Sequence, residues 1–418
     1  MPHVKPSLPA APGGPGLHRF AWLTAGVTLG LIGLGGLVTS HGVGMAVPDW
    51  PTTYGYNMFF FPISQWVGGI FYEHTHRLLA SGVGLLTTIL ALWLWGTKAR
   101  KLLRWGGVAF LVGAASRPWW LPHDAHQTGA SLGIVGAVAL AASFVWPRRE
   151  PSARHLRWMG VAAFFGVVLQ GVLGGLRVVL FRDGIGVFHA ALAQLFLVLV
   201  TLIAVFTGRW WAGLIREQSS RGRGAAAGLR LGLPALTGLI FCQLVVAATM
   251  RHQHAGLAIP DFPLAYHQIW PALDPASVAT YNANRIETVA VNPITAGQIV
   301  LQLVHRLLAV LIFTGIAWVA GSTWRQLTWR HPLTRGAAVW LGLVLLQVGL
   351  GAWTIWSNKA ADIATAHVVV GALCLVTGAL LTALAFRVLI PGRVSLPATV
   401  ARTNRGAPAG APQVNLTH

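Results

Sequence analysis

Long apolar segments recur along this chain and restrict its fold more than any other feature. Eight of them are long enough to cross roughly 30 Å of hydrocarbon as helices, and they lie at 20–40, 77–97, 158–180, 185–207, 231–250, 298–320, 337–356 and 363–386. Only 10% of the 418 residues are charged, whereas a water-soluble protein carries roughly a quarter. The sequence therefore predicts an all-α polytopic membrane protein. The first segment lacks a small-residue cleavage site and is predicted to be a retained span.

Basic residues predict which side of the membrane each connection faces. Residues 41–72 contain no Lys or Arg, whereas the connection at 98–104 holds four of them, and this alternation continues along the chain. The positive-inside rule therefore places both termini in the cytoplasm and the loops 41–72 and 251–297 on the other side of the inner (plasma) membrane. The net charge of +20 is spread in short clusters between apolar segments, so no nucleic-acid partner is expected.

An internal repeat divides the chain into two halves. Four landmarks recur in one order: GMAVPDWP at 44–51 and GLAIPDFP at 256–263, HRLLA at 76–80 and at 305–309, LQGVLGG at 169–175 and LQVGLGA at 346–352, and finally His189 and His367. They predict two pseudo-twofold four-helix bundles, related by an axis along the membrane normal, at 18–210 and 211–390. The tails 1–17 and 391–418, rich in Pro, Ala and Gly, are predicted to be disordered.

The first half contains an insertion. Its landmark histidines are 189 − 76 = 113 positions apart, against 367 − 305 = 62 in the second half, so 51 residues are additional. They fall at about 98–150, where two weaker apolar segments lie at 105–122 and 128–146. Basic clusters on both sides predict that the insert leaves and returns on the cytoplasmic side. It is either a hairpin that crosses the membrane and turns near Pro122-His123-Asp124, or a re-entrant segment, since Arg117 disfavours crossing.

Four of the sixteen histidines occupy equivalent places in the repeat. They open the second and fourth helices of each half, and we expect His76 to pair with His189 and His305 with His367. Two imidazoles from facing helices supply suitable axial ligands for a haem iron. For any single one of them, a hydrogen-bonded packing role is the alternative. A closed zinc or copper site is less favoured, because neither pair has additional Cys, Asp or His ligands.

Charged residues accompany these histidines. Glu73 precedes His76 by three residues and shares its helical face, whereas the equivalent residue of the second half is Gln302. An acid beside a liganded iron can transfer protons, so Glu73 is the catalytic candidate and the first half the reaction centre. A carboxylate paired with Arg77 is the alternative. Arg77 and Arg306 either bind haem propionates or extend to the membrane surface.

The remaining polar residues near these motifs have simpler interpretations. Asp49 and Asp261 follow prolines in the matched loops, where they are expected to fix loop structure rather than to act in catalysis. His74 is expected at the rim of the site. Three further histidines are expected in loops, namely His41, His252 and His254.

These motifs together resemble the haem A synthase family. The resemblance rests on GLVTS at 36–40, GMAVPDWP at 44–51, EHTHR at 73–77, QGVLGG at 170–175 and HAALAQ at 189–194. It covers about 18–97 and 155–390 and implies an eight-helix pseudo-twofold fold. By position, it implies that His305 and His367 ligate haem b, while His76 and His189 ligate the substrate, haem O. Glu73 would match the family's acidic residue.

The activity implied by the resemblance is oxidation of a methyl group of haem O to the formyl group of haem A. The implied partners are haem O synthase, a membrane electron donor and the assembly factors of haem-copper oxidases. Some family members carry a cysteine pair in the first outer loop, but residues 41–72 have none, and the insert at 98–150 is a second departure. The alternatives are a di-haem b-type electron-transfer cytochrome, in which Glu73 has no special role, and a transporter of haem or another anion.

Overall fold

The structure is a computed structural model that describes residues 14–116, 126–180, 182–214, 217–218, 223–285 and 292–390. These residues form twelve α-helices: α1 Gly14–Ser40, α2 Gly68–Leu94, α3 Thr97–Ala115, α4 His126–Val145, α5 Arg154–Leu180, α6 Asp183–Phe206, α7 Arg209–Ala212, α8 Arg223–His252, α9 Pro275–Ala283, α10 Ala296–Gln326, α11 Pro332–Trp356 and α12 Ala361–Val388. Two-residue strands pair as β1 Thr52–Thr53 with β2 Tyr56–Asn57, antiparallel, and as β3 Glu217–Gln218 with β4 Leu389–Ile390, parallel.

Among the described residues, eight helices are long and apolar enough to cross a membrane, which confirms the predicted number of spans. They are α1, α2, α5, α6, α8, α10, α11 and α12. Helix α2 begins at Gly68, nine residues before the predicted span at 77. Its first turns are polar and aromatic rather than aliphatic, so hydropathy alone places the start of the helix too late. The difference matters because Glu73 and His76 consequently lie within a regular helix.

Each half forms a ring of four helices. In the first half α1 and α5 both pack against α2 and α6, and in the second half α8 and α11 both pack against α10 and α12. The second and fourth helices of each ring are therefore diagonal to one another, with the centre of the bundle between them. The two rings meet through α1, α6, α8 and α12. This arrangement brings the first helix of the N-terminal half beside the last helix of the C-terminal half.

The bundle has two apolar cores. The first is built around Leu17, Leu90 and Leu156, and the second around Trp340, and all four side chains are buried. The first core also includes two residues of α12, Ala372 and Val376. The indole of Trp340 donates to the carbonyl oxygen of Cys374 at 2.8 Å, so its one polar atom is satisfied within the apolar core.

The insert forms a helical hairpin whose two arms, α3 and α4, pack principally against each other. The arms approach closely at two glycines, since a Cβ on Gly107 would lie 2.8 Å from the Leu140 nitrogen and one on Gly136 would lie 2.9 Å from the Gly107 oxygen. The Thr97 N–H donates to the Arg149 carbonyl at 2.8 Å, so the hairpin leaves and returns at the same point.

Neither arm is among the eight candidate spans of the described residues, and α4 offers only the shorter apolar stretch Gly129–Val145. The predicted turn at Pro122-His123-Asp124 and Arg117 lie outside the residues that the structure describes, as do 1–13 and 391–418 of the two predicted tails.

Candidate functional site

The matched loops after α1 and α8 have the same hydrogen-bond pattern. Asp49 accepts from the backbone N–H of Tyr54 at 2.7 Å, and Asp261 accepts from that of Tyr266 at 2.7 Å. Each tyrosine hydroxyl then donates to the carbonyl of the alanine eight residues earlier. Tyr54 and Tyr266 both have positive φ, 50° and 53°, a conformation that neighbouring hydrogen bonds must stabilise. The prediction that these aspartates fix loop structure is confirmed.

The protonation states of Asp49 and Tyr266 agree with their roles in these hydrogen bonds. Burial raises the pKa of Asp49, but hydrogen bonds from the Gly55 backbone and the Thr52 hydroxyl outweigh it and hold that pKa below its ordinary value. Burial, together with the stacked ring of Tyr281, raises the pKa of Tyr266 to about 12. At neutral pH Asp49 is therefore an ionised acceptor and Tyr266 a protonated donor.

One side chain from each second helix ties its loop to the bundle. Glu73 accepts the Val47 N–H at 2.9 Å through Oε2, and Gln302 accepts the Ile259 N–H at 2.6 Å through Oε1. Glu73 is 4% exposed and Gln302 is 3% exposed, so both bonds are shielded from water. The bond to the loop is therefore one that a carboxylate and an amide form alike.

Arg77 adds a second set of bonds in the first half. Its Nη2 donates to Glu73 Oε1 at 2.8 Å, which is the i, i+4 ion pair considered from the sequence. The guanidinium also donates to three loop carbonyls, those of Val47 at 2.8 Å, Asp49 at 2.6 Å and Thr52 at 3.1 Å. Arg77 is thus a brace between α2 and the loop.

Arg306 has a related place in the second half. Its guanidinium donates to the carbonyls of Asp261 at 2.6 Å and Leu264 at 2.8 Å, and it lies over the ring of Phe262 at 5.6 Å. Both arginines therefore bind the loop that follows the first helix of their own half. Contact between either arginine and a propionate stays a prediction.

The four repeat-related histidines lie at similar depths. His76 and His305 are eight and nine residues after the first residues of α2 and α10, while His189 and His367 are each six residues after the first residues of α6 and α12. At 1.5 Å per residue, all four lie roughly 9–14 Å below the first residues of their helices. These helix starts lie on the same side of the bundle as the matched loops, and we call that side the loop end of the bundle.

Glutamine side chains donate to the backbone carbonyls of three of these histidines. Gln170 of α5 donates to the His189 carbonyl at 3.1 Å, and the equivalent Gln347 of α11 donates to the His367 carbonyl at 2.9 Å. In the second half, Gln243 of α8 also donates to the His305 carbonyl at 2.9 Å. These bonds fix the helix backbone at the level of the imidazoles.

The imidazoles of each pair lie across the bundle from one another. The ring centroids of His305 and His367 are 6.4 Å apart, and His76 and His189 are close enough to interact electrostatically. Two metal–nitrogen bonds of about 2 Å on opposite sides of one ion, with a ring radius at each end, place two centroids roughly 6 Å apart. The separation of His305 and His367 therefore fits two axial ligands of a single iron.

A shared feature of the four histidines argues against a packing role. In each of them Nδ1 is buried and has no hydrogen-bond partner among the described residues. A buried polar atom without a partner is costly, and histidines that serve only packing normally have one. Within the described parts of the chain, no group of three or more His, Cys, Asp and Glu side chains is placed to hold a metal ion. The two pairs therefore suit a ligand that brings its own equatorial donors.

The structure corrects two of the secondary predictions. His74 is not at a rim but is fully buried, because the loop folds over α2 and covers it with Thr53, Phe61 and Trp66. His252 is the last residue of α8 rather than a loop residue. The two other loop predictions are confirmed, since His41 and His254 lie between helices.

Two arginines near the histidines were not predicted from the sequence: Arg177 is within electrostatic range of His76 and His189, and Arg251 is within range of Arg177 and His367. Arg177 of α5 and Arg251 of α8 both lie close to the loop end. A signal for them was available: each is a cation at the end of an apolar span on the side opposite to the basic clusters, where charge is disfavoured and functional roles are common.

The fold and the site together define a polytopic membrane protein with two four-helix halves, each with a pair of histidines on diagonal helices. The model of the cytochrome oxidase assembly protein family matches residues 125–379, and the chain belongs to this family, that of the haem A synthases. The matched residues include His189, His305 and His367, whereas Glu73 and His76 precede them.

Individual relatives agree with this assignment. The chain is 31% identical to a haem A synthase of Caulobacter sp. (strain K31) over 286 residues, which cover 65% of this chain and 74% of the relative. It is 28% identical to haem A synthases of Symbiobacterium thermophilum over 232 residues (54% and 66%) and Hyphomonas neptunium over 268 residues (57% and 69%). The chain thus spans about two thirds of the length of these relatives.

Proposed function

We propose that this protein oxidises a methyl substituent of haem O to the formyl group of haem A. One observation supports this above the others: at a single buried, repeat-equivalent position, one helical turn from a half-buried histidine, the first half has Glu73 and the second half has Gln302. The haem A synthase names of the relatives agree with the proposal.

The two histidine pairs have different roles in this proposal. His305 and His367 hold a resident haem b, which supplies electron transfer when it is bound. His76 and His189 bind the substrate, haem O, with their imidazole nitrogens at its iron. Arg77 and Arg306, which brace the loops above the two pairs, are proposed to approach haem propionates through guanidinium N–H groups.

The reaction is a net four-electron oxidation of the methyl carbon, most simply two successive hydroxylations followed by loss of water. With molecular oxygen as the oxidant, each hydroxylation inserts one oxygen atom, and two electrons from the membrane donor with two protons reduce the other atom to water. Glu73 contributes a proton-accepting group one turn from His76. Its two oxygens are held by the Val47 N–H and by Arg77, which fix the carboxylate in place beside the site. The second half, with a neutral amide at this position, has no such group.

The cellular setting follows from the same proposal. Both termini lie in the cytoplasm, so the loop end faces the opposite side of the inner membrane. Haem O comes from a synthase that farnesylates haem, electrons come from a membrane donor, and haem A passes to the assembly factors of haem-copper oxidases.

Non-covalent haems extracted from cells that make haem O, with and without this protein, test the proposal. Chromatography with mass analysis is expected to show haem A only when the protein is present, and to show its loss in Glu73→Gln and His76→Ala. His254→Ala, a change in the second loop, is the matched control and should leave conversion unchanged. If the protein instead purifies with two haems b and haem O accumulates unaltered, a di-haem electron-transfer cytochrome is the correct account.

A further inference from the structure

Two adjacent glycines of α1 separate the two histidine pairs. A Cβ on Gly35 would lie 3.0 Å from Cε1 of His76, and one on Gly36 would lie 3.0 Å from Cγ2 of Thr365, two residues before His367. The α1 backbone is therefore in contact with the first-half site on one side and with the second-half ligand helix on the other. Groups from the second half that reach α1 here come close to the first-half site.

Arg251 is such a group. It lies one residue before the end of α8, in the second half, and its Nη2 donates to the Gly36 carbonyl at 2.5 Å and to the Ser40 hydroxyl. Ser40 in turn lies 3.4 Å from the Thr365 hydroxyl. The guanidinium is thereby fixed across the boundary between the two halves.

Arg177 approaches the same region from the first half. It lies three residues before the end of α5, and its Nη2 would be 2.9 Å from a Cβ on Gly44, so the guanidinium lies against the start of the matched loop. It is within electrostatic range of His76, His189 and Arg251. The first histidine pair thus has Arg177 above it, and Arg251 lies next to Arg177 at the boundary between the halves, also within electrostatic range of His367.

The arginines lie nearer to the loop end than the histidines do. Counted along their helices, Arg177 and Arg251 are three residues and one residue from that end, whereas His76 and His189 are eight and six residues from it. The guanidiniums are therefore roughly 5–10 Å closer to the membrane surface than the imidazoles. A haem bound at its iron by these imidazoles, with one edge toward the loop end, brings that edge to the level of the arginines.

The charge of this cluster indicates what it binds. Two guanidiniums in one partly buried region repel each other, and cations at the end of an apolar span are costly. An anion with two separate carboxylates offsets both effects, because arginine pairs with carboxylate through parallel N–H donors. A haem carries its two propionates on a single edge of the macrocycle.

We propose that Arg177 and Arg251 bind the propionates of the haem held at His76 and His189, in addition to the contact proposed for Arg77. The second half of the chain therefore completes the substrate site of the first half. The repeat equivalents of the two arginines are Thr354 and Thr39, so the second half does not repeat this pair of arginines. This inference rests on the proposed function for the identity of the ligand, but not on turnover.

Binding of haem O and of its dimethyl ester to the purified full-length protein, followed by Soret absorbance with the resident haem in place, tests the proposal. Wild type is expected to bind haem O more tightly than the ester. Arg177→Gln and Arg251→Gln are each expected to weaken haem O binding by about 10–100-fold and to leave ester binding unchanged. Arg335→Gln, at an exposed position of the opposite end, is the control and should change neither.

Because Arg251 also braces α1, its loss alone is open to a structural explanation. Arg251→Lys and Arg177→Lys keep the charge and should recover part of the preference for haem O, while the spectrum of the resident haem reports correct folding. Equal affinity of wild type for haem O and its ester overturns the proposal, even if haem A is formed. Preference for haem O that depends on the arginines without formation of haem A supports the propionate site and contradicts the proposed oxidation instead.

Discussion

The two halves of the molecule use the same scaffold with different groups at one position. In both, an aspartate and a tyrosine shape the loop, and a side chain three residues before a histidine accepts the loop N–H that precedes the Pro-Asp pair. That side chain is Glu73 in the first half and Gln302 in the second. Since the amide forms the same bond, loop geometry does not require a carboxylate. Glu73 differs from Gln302 in its ion pair with Arg77 and in the acid–base role that we propose for it.

A second difference concerns charge around the histidines. Arg177 lies within electrostatic range of both histidines of the first pair, whereas the equivalent residue of the second half is Thr354. Arg251 lies at the boundary between the halves, within electrostatic range of Arg177 and of His367. The first half therefore differs in having Arg177 beside its histidines, a cation that we propose to recognise an anionic ligand at the outer edge. A resident cofactor needs tight ligation alone, while a substrate needs specific recognition followed by release.

Substitution of a histidine should have the most different effects in the two halves. We expect His76→Ala to abolish haem A formation but to leave the resident haem bound, because its ligands are elsewhere. His305→Ala should release the resident haem itself. Haem content per protein, measured by extraction from the purified variants, distinguishes the two outcomes. Loss of the resident haem in His76→Ala, together with its retention in His305→Ala, would reverse the assignment of the halves.

Exchanging the residue types of Glu73 and Gln302 tests whether the carboxylate is what makes the first half catalytic. Glu73→Gln can still accept the Val47 N–H, as Gln302 accepts that of Ile259, and Arg77 keeps its three loop carbonyls. We therefore expect a folded protein with an apparent melting temperature near that of wild type. Formation of haem A should fall by about 10²–10⁴-fold, the usual contribution of a general acid or base.

The reciprocal change, Gln302→Glu, is the matched control and should not alter the rate of haem A formation. Glu73→Ala removes the loop bond as well as the acid and should lower the melting temperature further. If Glu73→Gln forms haem A at the wild-type rate, the carboxylate is a loop anchor only, and its catalytic assignment is wrong.

Much of this architecture was predictable from the sequence, for physical reasons. Membrane thickness fixes the length of an apolar helix, so eight spans can be counted directly. The repeat identifies His76, His189, His305 and His367 because they are the histidines that occupy equivalent places. The hydrogen bonds of Asp49 are likewise expected of an aspartate before a tight loop.

Other features depend on contacts that no local pattern encodes. Arg251 reaches Gly36 because α8 and α1 belong to rings that meet, and that meeting depends on how the helices cross. His74 is buried because Phe61 and Trp66 of a connecting loop fold back over α2. Hydropathy registers membrane burial, but it does not register coverage of a helix by its own loop.

The packing beneath the matched loops tests whether the two halves support their loops in the same way. A side chain at Gly175 would overlap the indole of Trp50, whereas the equivalent positions of the second half are Ala352 and Phe262. We expect Gly175→Ala to destabilise the first half by about 1–3 kcal/mol, the usual cost of overpacking. Trp50→Phe with Gly175→Ala copies the second half and should recover most of this loss.

Thermal unfolding in detergent, arranged as a double-mutant cycle, measures the coupling between the two positions. Ala352→Gly in the second half is the control, since it removes a methyl group without relieving an overlap. A double variant that is no more stable than Gly175→Ala would show that the two loops rest on their helices in different ways.

Removal of the insert should have the smallest effect. The Thr97 N–H already donates to the Arg149 carbonyl, so a two-glycine linker in place of 98–148 can join α2 to α5 without moving either helix. Because α3 and α4 pack principally against each other, we expect haem A formation and the melting temperature to stay close to wild type. Gly107→Leu, which forces the arms apart but keeps them, is the matched comparison. A large loss of activity in the shortened chain, with the resident haem retained, would mean that the first half differs from the second in more than its acid and its arginines.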